Sequence, residues 1–132
     1  DDSSLHVLLW DYTHPRQDTD NQEYFIRDLP AKALDDVSVE LEGMPGGDYT
    51  VETYRVGHMA NDVYTAYLRA GYRELIGKET PTREQIEALR EHTSGRPEST
   101  NLLHVGEDGG TRLILHMRQN DVIRIILHKN TA

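Results

Sequence analysis

Acidic side chains are the most abundant source of chemistry in this chain. Asp11, Asp18, Asp20, Asp35, Asp36, Glu107 and Asp108 are all candidates for proton transfer. Cleaving a glycosidic bond takes two carboxyls facing each other across a cleft, one of them with a raised pKa. Here the acids fall in turns or on the outward positions of alternating strands. That spacing predicts a solvated surface, with no catalytic pair.

Other reactive groups are equally dispersed. The histidines His6, His14, His58, His92, His104, His116 and His128 show neither the HxH nor the HxxxH spacing that turns two imidazoles to one side. His104, His116 and His128 sit in successive predicted strands, which reads as a polar row rather than a metal site. "DTDNQE" (Asp18 to Glu23) alternates oxygen ligands but lacks the central glycine of a calcium loop. No GxSxG and no cysteine supplies a nucleophile. Gly46–Gly47 and Gly109–Gly110 precede no helix, so they read as turns and not as phosphate loops. The expected metals and cofactors are none.

The aromatic residues are the remaining candidates. Trp10 sits inside an apolar run and is expected in the core. Tyr49 and Tyr54 differ in strand parity, so at least one faces inward. Tyr64 and Tyr67 lie together in "YRVGHMANDVYTAYLRAG" (Tyr54 to Gly71), which leaves a strand at a glycine and becomes a helix. Amphipathic rings there suit a groove or an interface, and the interface is the preferred reading.

The elements that position these residues fit one domain of 132 residues. The net charge of −9 excludes a basic nucleic-acid footprint and reads as a solubility feature. It leaves a neutral polysaccharide or oligosaccharide open as a partner. No apolar run reaches the length of a membrane span. "DDSSLHVLLW" passes straight into an apolar strand without a basic leader, which predicts a piece of a longer polypeptide. The compartment stays open between bacterial cytoplasm and export.

Seven strands are expected. "LHVLLWDY" (Leu5 to Tyr12) reads as a strand buried on most of both faces. "QEYFIRDL" (Gln22 to Leu29) is a second strand, ending before Pro30. In "DVSVELEG", Val37, Val39 and Leu41 alternate with Ser38, Glu40 and Glu42, the mark of one wet face. "GMPGGD" then turns the chain into "YTVETYRV", which predicts a hairpin over 37–56. "TNLLHV", "TRLILHM" and "VIRIILHK" complete the strands, joined by the turns "GEDGG" and "RQND".

Two helices interrupt this pattern. Asp62 is a good N-cap, Val63, Ala66, Tyr67 and Ala70 form a narrow apolar stripe, and Gly71 suits the left-handed position that ends the helix. The second helix has two equally good starts, Thr80 as cap with Pro81 at the first position, or Thr82 with Gln85 in a capping box; Ile86 and Leu89 make the stripe, and Gly95 and Pro97 stop it. The expected fold is mainly β: a two-sheet antiparallel β-sandwich over 1–132, with a two-helix insertion over about 62–94 inside an excursion over about 57–97. The narrow stripes need some other surface to cover them.

The run "LEGMPGGDYTVETYRVGHMANDVYTAYLRAG…TPTREQIEALREHTSGRPE" resembles the C-terminal β-sandwich region of family 39 glycoside hydrolases, which include bacterial β-xylosidases and lysosomal α-L-iduronidases. The resemblance extends from about Leu5 to Lys129. It implies a non-catalytic accessory domain, with both catalytic glutamates in an upstream (β/α)8 barrel absent from this chain. It also implies that the helical excursion docks on the barrel of the same polypeptide, or on another subunit of a homo-oligomer, near the rim of the sugar pocket. His58, Asn61, Asp62, Tyr64 and Tyr67 are the expected contacts. An equally weighted reading, compatible with the first, is that the helices simply cover one open end of the sandwich. The alternatives are an independent carbohydrate-binding module and, less favoured, a small hydrolase in its own right.

Overall fold

The computed structural model describes residues 4–13, 28, 30–71 and 80–131. Six strands and two helices are described: β1 (Ser4–Trp10), β2 (Val37–Leu41), β3 (Gly47–Val56), α1 (Val63–Arg69), α2 (Arg83–Glu91), β4 (Ser99–Val105), β5 (Thr111–Leu115) and β6 (Val122–Lys129). The strand expected over Gln22–Leu29 lies almost wholly outside the described residues. One antiparallel sheet has the order β1-β6-β3-β4, and the other pairs β2 with β5. The mainly β, two-sheet architecture with a helical insertion is therefore the one expected from the sequence.

The core follows from parity. Ile123, Ile125 and Leu127 in β6 point to one face and are completely buried. They meet Tyr49 and Val51 of β3 and Leu115 of β5, while Val37, Val39 and Leu41 of β2 pack against the same cluster. Burying one such aliphatic side chain is worth about 1.5–3 kcal/mol. β6 has a partner on each side, so its inward row forms the middle of the core.

The expected hairpin over 37–56 does not form. β2 pairs with β5, whereas β3 pairs with β4 and β6, so the chain crosses from one sheet to the other between them. Met44 is the cause. Its side chain is buried in the core, and its backbone N–H donates to Gly109 O at 3.0 Å. The phenol of Tyr49 donates to Pro45 O at 2.7 Å and ties down the same arch. Gly109 has φ of 69°, and a Cβ there would stand 2.7 Å from Met44 O, so the docking of the two arches requires glycine. "GEDGG" and "RQND" likewise join strands of different sheets.

β1 also departs from expectation. Among the described residues it is an edge strand, and it alternates, with Val7 and Leu9 packed on the core and Leu8 and Trp10 exposed. Trp10 is not a core residue. Tyr49 is buried and Tyr54 only partly so, as their parity requires.

Candidate functional site

The segment after β3 turns back on itself immediately. Gly57 and Ala60 exchange two backbone hydrogen bonds of 2.9 Å, with Met59 at φ 61° in the tight turn between them. Asn61 follows at φ 49°, a conformation asparagine tolerates better than most residues. Its Nδ2 donates to Arg55 O at 2.8 Å, and its Oδ1 accepts from Gly95 N at 3.3 Å. One side chain thus fastens the entrance and the exit of the excursion.

Asp62 caps α1 as expected. Its carboxylate accepts from the backbone of Met59, Tyr64 and Thr65 at 3.0–3.1 Å and from the Thr65 hydroxyl. Burial opposes its charge, but these hydrogen bonds outweigh burial and hold its pKa below the usual carboxylate value. Thr82 and Gln85 close the predicted capping box on α2. Gly71, at φ 77°, ends α1.

Near this turn, His58 Nε2 lies 2.6 Å from Asp28 Oδ1, and Arg69 Nε donates to Asp28 Oδ2 at 2.9 Å. The contact with His58, and then that with Arg69, lowers the pKa of Asp28. Of the five predicted site residues, Asn61 and Asp62 are occupied in shaping the turn, His58 is held by Asp28, Tyr64 is exposed and Tyr67 is half-buried. Val63, Met59 and Ile86 are exposed beside them, and α2 buries none of its residues fully.

A charged cluster at the base of the excursion escaped the sequence reading. Arg55 shares the inward parity of Tyr49, Val51 and Thr53. Its Nε donates to both oxygens of Glu98 at 2.9 and 3.1 Å, its Nη1 to Asp121 Oδ2, and its Nη2 to His116 O at 2.9 Å. Arg118 donates to Asp121 from its backbone N and Nε at 3.0 Å and from Nη2 at 2.9 Å. Asp121 is 0% exposed. The buried Arg55–Asp121 pair, flanked by the partly buried Arg118 and the exposed Glu98, is fully hydrogen-bonded and fixes geometry. The available signal was an arginine at a core-facing register.

A cleft of about 240 Å³ opens between β4 and β5. Leu103, Leu113 and Ile125 line its apolar part, and Arg55, Glu98 and His116 its polar end. Among the described residues Glu98 is its one carboxylate, and that group is held by Arg55. Among the described residues its lining holds no facing carboxylate pair of the kind glycoside cleavage requires. Of the three histidines expected in a row, His104 and His128 flank β3, and His116 lies beyond β5. His104 and His116 each lie beside an aspartate, Asp48 at 2.7 Å and Asp36 at 2.6 Å, and His128 is 3.7 Å from Glu52. Among the described residues no helix is long and apolar enough to cross a membrane.

No family model and no curated protein matches the chain. Solved structures do. The GH39 enzyme from Xanthomonas axonopodis pv. citri is similar at 25% identity and a TM-score of 0.85, covering 98% of this chain and 25% of its own. A monomeric β-xylosidase from Caulobacter crescentus CB15 is similar at 29% identity and a TM-score of 0.82, over 98% of this chain and 25% of its own. A bacterial orthologue of human α-L-iduronidase shares the fold, at 12% identity and a TM-score of 0.57 over 78% of this chain. The chain spans a quarter of the length of the first two. Nearly all of it thus resembles a domain-sized part of a family 39 glycoside hydrolase, the family to which its strand and helix motifs pointed.

Proposed function

We propose that this chain is a non-catalytic accessory β-sandwich domain of a β-xylosidase-like glycoside hydrolase, where it stabilises and shapes the catalytic barrel. One observation carries the reading: the matches take in 98% of this chain and only 25% of the enzymes they belong to. The excursion meets the barrel or a second subunit around His58, Tyr64 and Tyr67, with Asn61 and Asp62 holding the turn beneath that surface in shape. Exposed Val63, Met59 and Ile86 favour such cover.

Two measurements test this. The isolated chain should leave an aryl β-xyloside intact, while the full polypeptide hydrolyses it. Tyr64→Ala with Tyr67→Ala in the full polypeptide should lower its thermal inactivation temperature. Hydrolysis by the isolated chain would refute the accessory role. A second reading, an independent carbohydrate-binding module, draws on the exposed indole of Trp10. Binding of xylan by the isolated chain would establish it.

A further inference from the structure

The inward row of β4 is not apolar throughout. Ser99 and Asn101 stand opposite Thr53 and Val51 of β3, and cross-strand partners share a face, so both are turned toward the second sheet. The inner faces of a sandwich ordinarily carry apolar side chains at such positions. Here Thr53, Ser99 and Asn101 put two hydroxyls and an amide on one wall of the cleft between β4 and β5.

Thr53 is the informative member. It is only 9% exposed, and it lines the cleft. Its backbone carbonyl accepts from Glu98 N at 2.7 Å, but no hydrogen bond engages its hydroxyl among the described residues. No fully enclosed side-chain nitrogen or oxygen of those residues lacks a partner, so this hydroxyl opens onto the cleft. A largely buried hydroxyl without a protein partner calls for another one. Asn101 Nδ2 reaches Ser99 Oγ only at 3.5 Å, longer than an ordinary hydrogen bond, so these two groups also keep capacity to spare.

The facing wall has the opposite character. Leu113 and Leu115 of β5 present aliphatic surface to the cleft. Charges at its polar end are matched: Arg55 is paired with Glu98 and Asp121, and His116 lies beside Asp36. A ligand here gains nothing from a charge of its own. At about 240 Å³ the cleft is smaller than the roughly 300–1,000 Å³ that drug-sized ligands occupy.

We propose that this cleft binds one neutral monosaccharide ring, with ring hydroxyls on Thr53, Ser99 and Asn101 and a C–H face on Leu113 and Leu115. A pyranose has this division, hydroxyls along its edge and carbon-bound hydrogens across its face. The proposal goes beyond the accessory role, because it gives the chain a ligand of its own without giving it a reaction.

NMR titration of the 132-residue chain with D-xylose tests it. The amide signals of Thr53, Ser99, Asn101 and Leu113 should shift together and saturate. Thr53→Val keeps the shape and removes the hydroxyl. It should leave the melting temperature unchanged and weaken D-xylose binding about tenfold, the usual order for one lost hydrogen bond. Shifts that do not saturate, or that avoid the cleft, would overturn the proposal. So would cyclohexanol binding as tightly as D-xylose and indifferently to Thr53→Val, which would make the cleft merely apolar. Tighter binding of D-xylonate would show that the ligand is an anion. Binding of xylohexaose without D-xylose would assign the chain to a polymer, and the proposal fails in both cases. The aryl β-xyloside assay decides the accessory role independently of all these outcomes.

Discussion

The carboxylate of Asp121 occupies the space in which a side chain on Gly57 would stand. The strand that leaves the sheet at Gly57 and the turn that starts β6 therefore fit together only when the first of these residues has no Cβ. This contact lies where the sandwich gives way to the helical excursion, so it sets the angle at which that excursion departs.

Gly57→Ala should destabilise the chain by about 1–3 kcal/mol, the usual cost of forcing atoms into a packed site. In an Asp121→Ala background the same change should cost much less, because the obstructing carboxylate is gone. Urea unfolding of the four proteins of this double-mutant cycle measures the coupling. Purely additive effects would show that the two residues do not compete for space.

Asp121→Ala alone should cost about 3–5 kcal/mol, the usual penalty of removing one partner of a buried ion pair. Arg55 would retain Glu98, but Arg118 would lose every hydrogen bond it makes to the carboxylate. The shift of the urea midpoint gives the magnitude.

Thr82→Ala should act locally. The capping box is worth about 1 kcal/mol to α2. Since α2 contributes no fully buried residue, the sandwich has little to lose with it. Hydrogen exchange should quicken in the amides of α2 while those of β3 and β6 stay protected.

Stability should fall on the acid side. The pKa of Asp11 is lowered by the Thr13 hydroxyl and the Asn120 backbone, that of Asp28 by His58 and Arg69, and that of Asp62 by the helix-cap hydrogen bonds that outweigh its burial. A carboxyl with a depressed folded pKa contributes stability that is fully present above its unfolded value, about 3.9 for aspartate. That contribution is lost as pH falls through the folded value. Unfolding midpoints recorded below about pH 4 should drop less steeply for Asp62→Asn, which keeps a capping oxygen without the titrating proton.

What could be read in the sequence was local. The alternation Val37, Val39, Leu41 and the row Ile123, Ile125, Leu127 declare their inward faces within a few residues. Asp62, Gly71, Thr82 and Gln85 declare helix ends in the same way, and the structure places each where its chemistry requires. Strand partners were not legible, because the arch at Met44 looks like a hairpin turn until Gly109 arrives to hold it. Trp10 was misplaced because an apolar run does not reveal which of its two faces is left bare. The Arg55–Asp121 cluster joins residues far apart in the chain, so neither one signalled the other.

The strand order has a consequence for biosynthesis. β6 is last in the chain yet stands between β1 and β3. β1 emerges first, and β3 and β4 can pair with each other, but the two parts of the sheet stay separate until β6 joins them. Closing this sheet should therefore be slow, governed by long-range pairing. A stall or truncation before Val122 should leave a species that seeks its missing middle strand in other molecules.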